Sequence, residues 1–339
     1  MSILLMLAWL STASAQSLLP LLSPTRVVYY GEEHYSQTHH DPLYQTLDQA
    51  VREGRLDTFA TEYVPAEAQP QFTAYLTSPT AGPGSDEEEQ FFRLLRGEWN
   101  VEWPDFERNR LFFRHLRELQ LKHGDKLRIC GVDYQDPKEI RNQFNDDDTT
   151  GPGLRAHILG IYRQLPPELL ARIQSVTGQS LDELARSGET YYREAMMGKN
   201  IAECVRGSAK GSLVHMGNLH TISKNFQLPG WVYASQFADV LLGRDYVAVK
   251  NMQAYETDEF EHPDYPMNEA VVQRCELGAP VILNTRFLPP DVLTILQVQS
   301  GGETWDFSRL WDFMIFGPAT RSIEAERRSS DNQRNRRGL

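Results

Sequence analysis

Val27-Val28-Tyr29-Tyr30-Gly31-Glu32-Glu33-His34 is an apolar run that stops at a glycine and continues into two carboxylates and an imidazole. β-Branched and aromatic residues in an unbroken run read as a buried strand. A glycine at its end lets the backbone turn and presents the following polar residues at the sheet edge. Leu213-Val214-His215-Met216-Gly217-Asn218-Leu219-His220 repeats the arrangement with the same Gly-x-x-His spacing. Between the two, Phe59-Ala60-Thr61-Glu62 and Leu127-Arg128-Ile129-Cys130-Gly131-Val132-Asp133 end on carboxylates. Strands separated by helical stretches predict an α/β fold with a parallel or mixed central sheet and helices on both faces. The carboxyl ends of such strands share one edge, where ligands bind, so residues far apart in sequence converge there.

Working outward, residues 43–53, 87–96 and 104–123 carry apolar residues at helical spacing, and residues 151–206 read as a helical insertion. Within it, Pro166-Pro167 starts a helix that ends near Ser175, and Ser180-Leu181-Asp182-Glu183 has the spacing of a capping box opening a long helix toward Arg206. Further strands are expected over 246–249, 280–284 and 313–316, with a helix over 267–276. Residues 16–320 then form one domain, and the polar tail 321–339 is expected to be disordered.

The chain of 339 residues carries a net charge of −12, which argues against a dedicated nucleic-acid binder. Residues 1–15 combine an apolar run with Ala13-Ser14-Ala15, the small-x-small pattern of a signal-peptide cleavage site, although the usual positive start is missing. Secretion or export to the periplasm is the expectation, and no segment is long and apolar enough for a membrane span. Cys130, Cys204 and Cys275 form no CxxC pair and allow at most one disulfide. Cys130 in a strand and Cys204 on a helix read as small core residues.

Several residue types at the strand ends are chemically capable. His34 and His220 suit a base or a metal ligand. Glu62 ends an apolar strand, where a carboxylate is costly unless paired, hydrogen-bonded or metal-bound, and Asp133 has the same status. His215, inside its strand, reads as packed or hydrogen-bonded within the sheet. Two imidazoles and a carboxylate suit a divalent zinc, manganese or cobalt ion, and equally suit metal-free acid–base hydrolysis. Helical spacing puts Arg193, Met197 and Asn200 on one face, where the arginine suits a substrate carboxylate, a developing oxyanion or a structural ion pair.

With these motifs in order, the sequence resembles the superfamily of erythromycin esterase-like proteins, ChaN-like haem-binding lipoproteins and TIKI/TraB metalloproteases, and is most similar to the erythromycin esterase-like and ChaN-like branch. The resemblance rests on Gly31-Glu32 with His34, on Glu62, on Gly131 and Asp133, on Arg193-Glu194 with Met197 and Asn200, on Asn218 and His220, and on an aromatic strand near 313–318. It implies a small-molecule or peptide substrate and water activated to cleave an ester, lactone or peptide bond. His34, Glu62 and His220 would be the centre, as metal ligands or as base and orienters, with Glu32 or Glu33 and with Arg193 assisting. Asp133, Asn200 and Asn218 would contact substrate, and Gly31 and Gly217 would shape the turns. Haem or small-ligand binding without catalysis is the alternative that the resemblance implies. The fuller esterase turn after the first histidine and a lipobox cysteine are both missing.

Overall fold

The computed structural model describes residues 14–15, 17–32, 41–99, 107–136, 152–187, 191–226, 230–252, 255–256, 264–277, 279–300, 303–317 and 320–321. Its centre is an eight-stranded sheet. In chain order the strands are β1 (Ser14–Ala15), β2 (Arg26–Glu32), β3 (Leu56–Pro65), β4 (Arg128–Asp133), β5 (Gly211–Gly217), β6 (Asp245–Asn251), β7 (Val281–Asn284) and β8 (Phe313–Phe316). They lie side by side as β1-β7-β8-β6-β2-β5-β3-β4. All neighbours from β8 to β4 are parallel, while β7 runs antiparallel to both β8 and β1. The mixed sheet anticipated from the pattern is therefore present, with its antiparallel part confined to one side.

The chain leaves β2 for β3 and β4 on one side, returns as β5 between β2 and β3, and then builds β6 and β8 on the other side. That reversal of strand order brings the carboxyl ends of β2, β5 and β3 together, the place where open α/β sheets form crevices. The helices divide between the faces as period-2 strands require. One face is covered by α1 (Asp41–Arg52), α2 (Gln69–Thr77), α3 (Asp86–Trp99) and α4 (Glu107–His123), which bury Leu43, Leu47, Phe72, Phe91, Phe92, Phe112 and Phe113 against Val28, Tyr30, Phe59 and Tyr63.

The opposite face carries the insertion, α5 (Pro152–Gln164), α6 (Pro167–Thr177), α7 (Leu181–Ser187) and α8 (Tyr191–Val205), followed by α9 (Ala234–Leu242). Of the long helix expected from Ser180 toward Arg206, Leu181–Ser187 and Tyr191–Val205 are helical, and residues 188–190 lie outside the described set. Helix α9 and the antiparallel strand pair Gln297–Ser300 and Glu303–Asp306 have no counterpart in the sequence reading. Helices α8 and α9 pack so closely that a Cβ on Gly198 would stand 2.4 Å from that of Phe237, so only glycine permits this approach.

Cys130 and Cys204, expected as core thiols, are joined in a disulfide that ties β4 to α8, and Cys275 is a free, buried cysteine. Local sequence could not reveal the pairing, because the partners are 74 residues apart. Among the described residues no helix is long and apolar enough to cross a membrane.

Candidate active site

Glu62 sits near the end of β3 and is almost fully buried. Its Oε1 accepts the Gly217 N–H at 2.7 Å, which fixes the carboxylate across the ends of β3 and β5. Directly after β5, Asn218–Thr221 forms a 3₁₀ turn that carries His220. This turn rests on β2 at Gly31, where a Cβ would meet Thr221 Oγ1 at 2.5 Å and Asn218 Oδ1 at 2.7 Å. Gly31 therefore lies inside β2 rather than at a bend, and its role is to leave room for the turn. The Trp311 indole N–H donates to Thr221 Oγ1 at 3.3 Å and holds the turn from the other side.

Both ring nitrogens of His220 face carboxylates. Nδ1 is 2.6 Å from Glu194 Oε1, and Nε2 is 3.7 Å from Glu62 Oε2. Glu194 on α8 is itself fixed, because its Oε2 accepts the N–H of Ala234, the first residue of α9, at 2.9 Å. A carboxylate is favoured at that position by the helix dipole. Burial works against charge on His220, but Glu194 and then Glu62 outweigh it and hold its pKa above the ordinary histidine value. The imidazole retains 16% of its surface open to solvent, which makes it the exposed member of an otherwise dry acid–imidazole–acid group.

Beside this group, Asp133 at the end of β4 binds Arg193 Nη2 at 2.8 Å, and Arg193 Nε donates to the Tyr134 carbonyl at 3.3 Å. Asp133 also accepts the Tyr134 N–H at 2.7 Å and a short hydrogen bond from Gln135. Burial raises the Asp133 pKa, Arg193 pulls it back, and the net direction is upward. Asn200 Nδ2 lies 3.3 Å from both the Val132 and Asp133 carbonyls, so it secures the strand end to α8. Arg193 and Asn200 thus share a helix face, and what they meet there is β4.

On the opposite face of the same strand ends lies a second polar group. Glu32 Oε1 accepts the Tyr63 hydroxyl at 2.6 Å, and Glu32 Oε2 is 3.2 Å from His215 Nε2. Thr61 Oγ1 is 3.2 Å from His215 Nδ1. His215 is wholly buried among the rings of Tyr30, Phe59, Tyr63 and Phe112. Burial, then Glu32, push the Tyr63 phenol far above its normal range, so it stays a hydrogen-bond donor.

His34 and Glu33 lie outside the described residues. Of the other residues singled out in the sequence, Glu62, His220, Gly217 and Asn218 meet at the β3–β5 edge, and Asp133, Arg193 and Asn200 form the adjoining wall. Sequence reasoning passed over the part of Glu194. Its neighbour Arg193 drew attention, and the pairing with a residue 26 positions later leaves no local trace.

A divalent ion can be tested against these donors. An imidazole held at Nδ1 by a carboxylate is oriented as metal-ligating histidines are, and Nε2 with Glu62 Oε2 would offer two donors. Among the described residues, however, no group of three or more His, Cys, Asp or Glu is arranged to hold a metal. A haem iron needs an axial ligand such as histidine or tyrosine, and His220 faces carboxylates at both nitrogens. Among the described residues the group around His220 thus offers neither three metal donors nor an open axial nitrogen on that imidazole.

No family model matches the chain, and neither does any curated protein sequence. Solved structures do match. A Bacillus cereus protein superposes with a TM-score of 0.54 at 14% identity, over 95% of this chain and 98% of its own. A mutant of the erythromycin esterase EreC in its open conformation gives 0.54 at 14% identity, over 89% and 93%. A succinoglycan biosynthesis protein gives 0.54 at 12% identity, over 94% and 97%. The chain has the erythromycin esterase-like fold, along nearly its whole length.

Proposed function

We propose that this protein is an exported hydrolase that cleaves a carboxylic ester or lactone of a small molecule at the β2–β5–β3 edge. The observation that carries the reading is the His220 imidazole held between Glu194 and Glu62 at the one rim of the group that reaches solvent. In this scheme a water drawn in at the exposed edge of His220 passes a proton to Glu62 Oε2, which is closed to bulk solvent, and the hydroxide so formed adds to the ester carbonyl carbon. His220, whose pKa Glu194 and then Glu62 hold above the ordinary histidine value, gives its proton to the leaving alcohol oxygen as the C–O bond breaks. Glu194 keeps Nδ1 occupied, so that Nε2 is the nitrogen that serves the reaction. Arg193 and Asp133 shape the wall beside it, and His34, two residues after Glu32 in sequence, is the further candidate base.

Likeness in fold to the erythromycin esterase EreC supports the reaction class, and the Cys130–Cys204 disulfide supports an oxidising compartment. Glu62→Gln retains an acceptor for the Gly217 N–H while removing the base. With a panel of 4-nitrophenyl esters and lactones, Glu62→Gln and His220→Ala are each expected to lower kcat by about 10²–10⁴-fold with the far-UV circular dichroism unchanged. Wild-type turnover in both variants sinks the assignment. N-terminal sequencing of the exported protein is expected to begin at Gln16, so that the mature sheet lacks the two-residue edge strand β1.

A further inference from the structure

A second imidazole–carboxylate pair stands at the end of β4, outside the group just described. His157 lies on α5 between Leu154 and Ile158, whose side chains are buried in the core. Its Nε2 is 2.9 Å from Asp136 Oδ1. Asp136 follows Asp133 by three residues, and its Oδ2 accepts the Tyr192 hydroxyl at 2.7 Å. The Tyr134 hydroxyl donates to Asp136 Oδ1 at 3.4 Å. Tyr192 precedes Arg193, so the pair is continuous with the Asp133–Arg193 wall.

Two tyrosine hydroxyls already serve the Asp136 carboxylate, and burial, then Asp136 itself, raise the pKa of both phenols, so they remain donors. Asp136 is therefore satisfied without the imidazole. His157, by contrast, has its orientation set by Asp136. A carboxylate can only accept, so in the neutral imidazole Nε2 carries the proton and Nδ1 the lone pair. That nitrogen meets no partner among the described residues, and 23% of the side chain is exposed.

We propose that His157, oriented by Asp136, is a recognition residue of the cleft whose Nδ1 accepts a hydrogen bond from a hydroxyl group of the substrate. The proposal rests on the reading that the cleft hydrolyses a small-molecule ester. It assigns the preferred substrates to the hydroxyl-bearing class, and it gives His157 no part in bond cleavage.

Two measurements test it. Native protein treated with diethyl pyrocarbonate at pH 7 and mapped by mass spectrometry is expected to be modified at His157 and protected at the sealed His215. An unmodified His157 overturns the proposal. Hydrolysis of monobutyrin and of propyl butyrate, which differ by two hydroxyls, is then compared in wild type and His157→Ala. The variant is expected to raise KM for monobutyrin about three- to tenfold, the worth of one hydrogen bond, with kcat and the propyl butyrate KM within twofold. Equal KM values for the two esters in wild type, or an equal change for both in the variant, overturn hydroxyl recognition. Should wild type hydrolyse neither ester, the hydrolase reading fails and takes the substrate assignment with it. The labelling result then still decides whether the His157 nitrogen is open.

Discussion

Replacing Cys130 and Cys204 by alanine, or reducing the bond between them, frees α8 from β4. The bond closes a loop across 74 residues. Loop-closure entropy for that length is about −15 cal/mol/K, so the link contributes about 4.5 kcal/mol at 25 °C through the unfolded chain. With an unfolding entropy near 2.1 cal/mol/K per residue, a domain of roughly 300 residues would lose about 7 °C in Tm. The effect should reach the site, because α8 carries Arg193, Glu194 and Asn200, and Asp133 lies three residues beyond Cys130. Differential scanning calorimetry with and without dithiothreitol reads the first effect, and ester turnover reads the second. Thiol titration of the denatured, unreduced protein should return one thiol per chain, that of Cys275. Three thiols in protein recovered from an oxidising compartment, or a Tm that reduction does not move, would refute the reasoning.

Other perturbations probe the strand ends directly. Gly31→Ala drives a methyl group to 2.5 Å from Thr221 Oγ1, and the overpacking is expected to cost about 1–3 kcal/mol in urea titration while displacing His220. His215→Leu leaves the buried Glu32 without its imidazole, and a loss of about 3–5 kcal/mol is expected by the same measurement. A stability unchanged by this substitution would show that the pair is not formed. The raised pKa of His220 predicts a pH-dependent stability. Its contribution is fully present below the unfolded histidine value of about 6.5 and is lost as pH rises through the folded value. Glu194→Gln removes the main opposing charge, so the loss of stability between these limits should shrink, and the His220 resonance in histidine-labelled NMR spectra should titrate at lower pH.

Much of this molecule is legible one residue at a time. Unbroken runs such as Val27–Tyr30 and Leu213–Met216 announce buried strands, and a carboxylate at the end of one, as at Glu62, announces a polar edge. The pairing of those edges is a different kind of fact. Glu194 finds His220, and Cys130 finds Cys204, through packing that no local pattern records. Gly31 looked like the residue of a bend, yet the demand on it comes from a turn nearly 190 positions later. Helix α9 escaped notice because Pro229-Gly230 and the mixed residues after it give a weak helical period, although Glu194 stabilises its first turn. His157 carried no signal either, since its meaning depends on an aspartate in another element.

The two buried polar groups at the sheet edge use neighbouring residues of the same strands. On β3, Thr61 and Tyr63 point to the dry aromatic side while Glu62 points to the cleft. On β2, Gly31 receives the His220 turn on one face and Glu32 meets His215 on the other. Because the side-chain period of a strand is two, a slip of one residue in either strand would exchange the contents of the two faces. Glu62 would then enter the aromatic box and Tyr63 would fill the cleft. A carboxylate without its donors in that box costs several kcal/mol, so the Glu32–His215–Tyr63 group selects against the slipped register. Buried polar groups of this kind contribute little net stability compared with apolar packing. Their value here is positional: the inner group holds the strand register that presents Glu62 and the His220 turn on the cleft side.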